Sequence, residues 1–287
     1  MVINREGGTA ARLGDSLADK VREAFAATGQ PIDLHLVAAA DIEATISASS
    51  APVVAVGGGD GTLASAAGVL AAQDRCLGVL PLGTLNHFAR DIGLDGTLEQ
   101  AAQVAAHGYC APIDVGYAGE RLFLNNASLG IYARMVEDRD RRRLPKWLAT
   151  LPAALRVLLW PQTRRLDLEI DGKHRRVKTP LLFIGNNRYS LARGRIGRRA
   201  SLTDGELGVI AVAQRGGAGL VLAALRMMRG KIDVHADFAA RESAQQVIAL
   251  RRGDHHVALD GEVVELDFPL TFRVDPGGLK VMLPALA

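Results

Sequence analysis

The sequence predicts an α/β domain with a mostly parallel sheet, followed by a largely antiparallel β domain that closes as a sandwich. Three observations carry this. Up to residue 112, short apolar strands alternate with helical stretches. Beyond it, strand-like runs follow one another quickly, with Asp-Gly turns among them. The length, 287 residues, suits one large or two modest domains at about 100–200 residues each.

In the first domain, Asp15 to Thr28 reads as an amphipathic helix, Ile32 to Val37 as a strand and Asp41 to Ser47 as a helix. Val53–Val56 is a short buried strand, Leu63 to Gln73 the helix after it, and Leu77 to Leu80 a strand that stops at Pro81. Thr97 and Gln100 have the spacing of a capping box for a helix running to His107. A β-α-β-α rhythm implies a parallel sheet with helices on both faces. Ligands of such sheets bind beyond the carboxyl ends of the strands.

In the second domain, strands are expected at Ile113–Tyr117, Arg121–Asn125, Leu166–Ile170, Leu181–Gly185 and Leu207–Val212. Further strands are expected at Gln246–Leu250, His256–Leu259, Val263–Leu266, Thr271–Val274 and Leu279–Leu283. Asp171-Gly172 and Asp260-Gly261 are hairpin-turn signals. Two helical inserts interrupt the strands, Trp147–Trp160 and Ala218–Arg229.

The most informative feature is Gly57-Gly58-Gly59-Asp60-Gly61-Thr62, at the end of the strand Val53–Val56. Backbone N–H groups in a glycine turn can approach phosphate oxygens, because no Cβ intervenes. The helix that follows adds positive partial charge at its N-terminus. Asp60 would repel a bare phosphate, which suggests a metal or a polar ligand group beside it. The run is neither a P-loop, since no Gly-Lys-Ser/Thr follows, nor a dinucleotide fingerprint. A tight strand-to-helix turn without chemical use is the plain alternative.

Composition narrows the class. An apolar fraction of 48% is that of a folded protein. Cys76 and Cys110 form neither a disulfide framework nor a metal cluster, and fit a reducing cytosol. No secretory signal is visible at the start. The nearest approach to a membrane span, Trp147–Trp160, contains Arg156 and Pro152 and falls short of the roughly 20 apolar residues a span needs. The net charge of +3 conceals an asymmetry. Residues 1–130 carry 7 Lys/Arg against 14 Asp/Glu, a balance of −7, and residues 131–287 carry 27 against 17, a balance of +10. A basic second half suits nucleic acid, anionic lipid or clustered phosphates, or is uneven surface charge without a partner.

A second motif follows the first by some 20 residues: Leu80-Pro81-Leu82-Gly83-Thr84-Leu85-Asn86-His87-Phe88-Ala89-Arg90. With Gly57–Thr62 ahead of it and Asp204-Gly205-Glu206 and Asp260-Gly261-Glu262 after it, the chain resembles the bacterial diacylglycerol kinase catalytic-domain family. These are soluble lipid kinases related to sphingosine kinases. The resemblance covers nearly the whole chain. The glycine run paired with Gly-Thr-Leu-Asn is specific; the later Asp-Gly-Glu motifs are weak by themselves and, apart from the resemblance, read more readily as turn dipeptides.

The resemblance implies a Rossmann-like α/β nucleotide domain over residues 1–112 and a β-sandwich lipid-kinase domain over 113–287, with the last strand returning to the first domain and the active site in the cleft between them. It implies transfer of the γ-phosphate of ATP, with Mg²⁺, to the hydroxyl of diacylglycerol or a similar lipid alcohol. Asn4, Arg5, Glu6, Gly7 and Gly8 look like the first nucleotide loop. Gly58, Gly59, Asp60, Gly61 and Thr62 would cradle the phosphates, with Asp60 near the catalytic metal. Thr84 and Asn86 would line the nucleotide site, and Arg90 would approach phosphate. Asp114 matches a family acid that holds metal through water. Asp204 looks like the ligand of a second, structural Mg²⁺, joined by main-chain oxygens of Ser201 and Glu206. Glu262 matches the proposed general base. The expected partners are ATP, the lipid and, transiently, an anionic membrane surface, with no nucleic acid; the expected location is cytoplasmic and peripherally membrane-associated.

The chain departs from the family pattern at several positions. Arg5 and Gly7 stand where the first loop usually has Pro and Ser. Ala64-Ser65 replaces Asn-Glu after the glycine run, and His87 stands where many members have Asp. These departures sustain a second reading, a lipid- or nucleotide-binding module descended from the kinase. A third is an NAD kinase-like enzyme, which shares the Gly-Gly-Asp-Gly-Thr turn; the Leu-Pro-Leu-Gly-Thr-Leu-Asn run and the basic amphipathic stretch argue against it. Arg139, Arg141, Arg142, Arg143 and Lys146 precede that Trp- and Leu-rich stretch, which suits an anionic lipid interface or, equally, a core helix over the β domain. Arg193, Arg195, Arg198 and Arg199 form a second basic cluster, read as a surface loop. His255 and His256 are adjacent strand residues that point to opposite faces, and are read as structural.

Overall fold

The computed structural model of the protein describes residues 1–94, 96–130, 164–190, 198–199, 201–213, 238–250 and 256–285. The expectations for Arg139–Lys146, Trp147–Trp160, Arg193, Arg195, Ala218–Arg229 and His255 lie outside the described residues. The chain divides into two compact units, Met1–Val115 with Pro276–Ala287, and Gly116–Asp275.

Unit 1 opens with β1 (Val2–Asn4), α1 (Gly8–Leu13) and α2 (Ser16–Ala26). There follow β2 (His35–Val37), α3 (Ile42–Ala48), β3 (Val53–Gly58), α4 (Asp60–Ala72) and β4 (Cys76–Pro81). Then come α5 (His87–Asp91), α6 (Leu98–His107) and β5 (Tyr109–Ala118), whose end lies in unit 2. Strands β2, β1, β3 and β4 lie side by side, all parallel, as the alternating rhythm requires. Leu17, Val21 and Phe25 of α2 and Ala101, Ala102 and Ala105 of α6 pack with Ile3 and Leu80 into one core.

The local signals at Thr97 act as expected: its Oγ1 accepts from the Gln100 N–H at 3.4 Å, and its own N–H donates to Gln100 Oε1 at 3.1 Å. Helix α4 begins three residues earlier than its apolar pattern suggests. Gly59 caps it in an extended conformation, and Asp60 is its first helical residue, where a carboxylate meets the positive end of the dipole. Helix α1, short and without an apolar stripe, has no sequence counterpart among the expectations.

The cysteines correct the expectation of free thiols. Cys76, the first residue of β4, and Cys110, the second of β5, form a disulfide with Cα atoms 6.4 Å apart. Their separation of 34 in sequence conceals a pairing that only the docking of β5 brings about. The cysteine argument for a reducing compartment therefore falls. Closing a loop of this length stabilises by about 3–4 kcal/mol in the chain-entropy account. Cys110→Ser, or a reductant, is expected to lower the unfolding free energy extrapolated from urea denaturation by that amount, and thiol titration of the untreated protein to find Cys76 and Cys110 unreactive.

Unit 2 continues with β6 (Arg121–Phe123), β7 (Asn126–Gly130), β8 (Arg164–Ile170), β9 (Lys173–Thr179) and β10 (Leu181–Asn186). It ends with β11 (Leu207–Val212), β12 (Phe238–Ala244), β13 (Gln246–Ala249), β14 (His256–Leu259), β15 (Glu262–Glu265) and the start of β16 (Leu270–Leu283). One sheet runs β12-β11-β10-β7-β14-β15, every described pairing antiparallel. The second contains β16-β13-β8-β9, again antiparallel. Alternate residues, among them Leu129, Leu182, Ile184 and Val209 from the first sheet and Leu166, Leu168, Val247 and Phe272 from the second, fill one shared core. Strand β16 crosses the division at residue 276; its Lys280 and Val281 pair in parallel with Cys76 and Leu77 of β4. It is a single strand where the sequence suggested two, because Pro276-Gly277-Gly278 passes through it without ending it.

Candidate active site

In unit 1 the chain leaves β1 to one side, forming β2, and then crosses to the other, forming β3. Such a reversal of strand order leaves a crevice beyond the carboxyl ends of the two central strands, the usual ligand position in open α/β sheets. Asn4–Gly8 leaves β1 there and Gly58–Thr62 leaves β3. A third segment, Pro81–Asn86, leaves β4.

These three segments meet. The Asn4 amide donates to Thr62 Oγ1 at 3.0 Å, and its Oδ1 accepts the Glu6 N–H at 2.9 Å. Glu6 in turn accepts the Ala39 N–H at 3.0 Å. The Thr9 N–H donates to the Leu82 carbonyl at 2.8 Å. A Cβ on Gly83 would collide with the Gly59 backbone, and one on Gly8, whose φ is +51°, would lie 2.8 Å from the Gly83 carbonyl carbon. The glycines thus let three backbones touch one another as well as lie open to a ligand.

Asp60 joins two of the segments. Its carboxylate accepts the His87 N–H at 3.1 Å and the Phe88 N–H at 2.9 Å, capping α5 from outside its own chain segment. Asn86, in the left-handed region at φ 49°, folds the third segment back on itself. Its Oδ1 accepts the Gly83 N–H at 2.9 Å and its amide donates to the Pro81 and Gly83 carbonyls at 3.2 and 3.3 Å. Thr84, His87 and Arg90 are exposed around this frame. Arg90 Nη2 lies 3.1 Å from His87 Nδ1. A guanidinium only donates, so His87 accepts at Nδ1 and its proton sits on Nε2. A carboxylate can accept N–H groups and also ligate a divalent cation, so the chemistry of Asp60 fits one. Asp114 of β5 is 2% exposed, and its Oδ1 accepts the Gly277 N–H at 3.0 Å.

In unit 2, Asp260 and Gly261, with φ of 48° and 88°, turn β14 into β15, as the dipeptide signals. The Asp260 side chain does more. One oxygen accepts the Leu124 N–H at 2.7 Å; the other accepts those of Asn125 at 2.7 Å and Asn126 at 3.0 Å. Glu262, exposed, is the first residue of β15, two residues from this anchor. The same segment is gripped from the other side. Asn186 Nδ2 and Arg199 Nη1 donate to the Leu124 carbonyl at 2.9 and 2.7 Å, and the Tyr189 hydroxyl donates to that of Asn125 at 3.1 Å. The sequence reading passed over Asn125, Asn186 and Tyr189; the Asn-Asn dipeptides at 125–126 and 186–187 were the available signal.

Ser201, Asp204 and Glu206 also lie in unit 2. Arg188 Nε lies 3.8 Å from Asp204 Oδ2 and 3.4 Å from Glu206 Oε2. The Glu206 carbonyl already accepts the Asn187 N–H at 2.9 Å, and Ser201 Oγ accepts that of Thr203 at 3.1 Å. This donor set, faced by a guanidinium, does not suit a resident divalent cation. Among the described residues, no three His, Cys, Asp or Glu side chains gather as a metal cluster, and no helix is long and apolar enough to cross a membrane.

The chain thus joins a parallel α/β unit, with a three-segment glycine junction at its switch point, to an antiparallel β-sandwich unit. Residues 1–118 match the diacylglycerol kinase catalytic domain, and residues 125–283 match the YegS C-terminal NAD kinase beta sandwich-like domain. A Pseudomonas aeruginosa protein named "Probable lipid kinase YegS-like" is 34% identical over 257 residues, covering 85% of this chain and 80% of its own. A Pseudomonas putida protein of the same name is 30% identical over 239 residues, covering 81% and 77%. The crystal structure of a diacylglycerol kinase from Bacillus anthracis superposes with a TM-score of 0.73 at 22% identity, covering 99% of this chain and 96% of that one, which shows the shared fold. The chain belongs to the YegS-like lipid kinase family, with its diacylglycerol kinase catalytic domain and NAD kinase-like β-sandwich.

Proposed function

We propose that the protein transfers the γ-phosphate of ATP to the hydroxyl of a lipid alcohol, diacylglycerol or a close analogue. The observation that carries this reading is the junction of Asn4–Gly8, Gly58–Thr62 and Pro81–Asn86 at the strand-order reversal, braced by Asp60. In the first turn of α4, N–H groups lack acceptors within the helix and favour phosphate oxygens. Asn4, Thr84 and Asn86 line the nucleotide, and Arg90 supplies a positive charge to phosphate. Asp60 and Asp114 would hold Mg²⁺, which when bound neutralises the charge that develops on the transferred group. Glu262 accepts the proton of the attacking hydroxyl. A substrate of this kind resides in bilayers, so the enzyme works in transient contact with an anionic membrane surface.

The test is transfer of labelled γ-phosphate to a panel of lipid alcohols in mixed micelles with Mg²⁺, with NAD as a soluble acceptor in parallel. Labelled phospholipid is the expected product, and its headgroup names the substrate. Transfer to NAD alone, or ATP binding without transfer to any acceptor, would overturn the proposal in favour of the NAD kinase-like or binding-module reading.

A further inference from the structure

We infer that unit 2 carries its own cation: the Arg188 guanidinium is the resident counter-ion of the Asp204–Glu206 loop, in the place where the family resemblance implies a structural Mg²⁺. Asn187, the residue after β10, is fully buried and adopts the left-handed region at φ 64°. That conformation is uncommon for a side-chain-bearing residue and reverses the chain sharply. Its N–H donates to the Glu206 carbonyl, which locks the reversal onto the acidic loop. Two glycines make room for it. A Cβ on Gly208 would lie 2.9 Å from the Asn187 carbonyl oxygen, and one on Gly185 3.0 Å from the same atom.

The reversal delivers Arg188 to the two carboxylates. Glu206 Oε2 is buried from solvent and has no hydrogen-bond partner among the described residues, so its charge requires a counter-charge nearby. Arg188 Nε supplies it at 3.4 Å and reaches Asp204 Oδ2 at 3.8 Å. Mg²⁺ demands near-octahedral oxygen ligands at about 2.0–2.1 Å. Here the Glu206 carbonyl accepts an N–H, and a positive charge already stands over the acids. Gly205, at φ +67°, turns the backbone between the two acids.

The readout is thermal unfolding, so failure of this inference leaves the kinase proposal untouched. The wild-type Tm is expected to be the same in EDTA and in millimolar Mg²⁺. Arg188→Met, which keeps the apolar stem and loses the charge, is expected to lower Tm by about 1–4 °C. In a Glu206→Gln background the same substitution is expected to lower it by less, because the nearer of its two carboxylate partners is already gone. A wild-type Tm raised by Mg²⁺ and no longer raised in Asp204→Asn would overturn the inference, since the loop would then hold a divalent cation. An Arg188→Met loss of equal size in both backgrounds would also overturn it, since the side chain would then act by packing alone.

Discussion

Glu262→Gln is expected to lower kcat/KM for lipid phosphorylation by about 10²–10⁴-fold, the usual contribution of a positioned general base. ATP affinity and Tm are expected to stay at wild-type values. Glu262 is the exposed first residue of β15, paired with Leu259 across a two-residue turn. The anchoring of that hairpin falls to Asp260, so an amide at position 262 removes a proton acceptor without removing a support. Glutamine keeps size and polarity and loses basicity. Steady-state kinetics in mixed micelles, nucleotide binding by calorimetry and a melting curve separate the three quantities. Full activity in the variant would remove Glu262 from the chemistry.

Asp260→Asn is expected to do the reverse, costing stability first: about 2–4 kcal/mol by urea denaturation. The carboxylate receives three backbone N–H groups, and hydrogen bonds to a charged group contribute roughly 1.5–3 kcal/mol each. Asparagine tolerates the left-handed backbone of this position, so the substitution isolates the charge from the turn geometry. Its single carbonyl oxygen cannot satisfy all three donors, and its NH₂ group meets N–H groups head-on. Leu124–Asn126 then loses one of its two grips, the other being Asn186, Tyr189 and Arg199. An unchanged urea midpoint would mean that solvent replaces the carboxylate at no cost.

Much of the fold is legible because it is encoded locally. The capping box at Thr97, the Asp-Gly turns at 171 and 260, and the apolar strands before each glycine segment are short-range signals that survive in the native state. Strand β9, Lys-His-Arg-Arg-Val-Lys-Thr, is not legible this way. It lies at the edge of its sheet with four exposed residues in a row, so it lacks the alternation of a half-buried strand. Strand β7, Asn-Ala-Ser-Leu-Gly, is too short and too polar to register beside the apolar runs around it.

The sequence by itself determined the class of fold, the order of the two domains and the glycine segments that meet at the strand-order reversal. Each of those depends on residue types at fixed short spacing. Tertiary structure alone decided the bond between Cys76 and Cys110, the capping of α5 by Asp60, the grip of Asp260 on Leu124–Asn126 and the meeting of Arg188 with Asp204 and Glu206. Their partners are 34, 27 to 28, 134 to 136 and 16 to 18 residues apart in the chain. A charge or a thiol declares what it can bind, but the backbone path that brings its partner within reach is set by the packing of whole strands and helices.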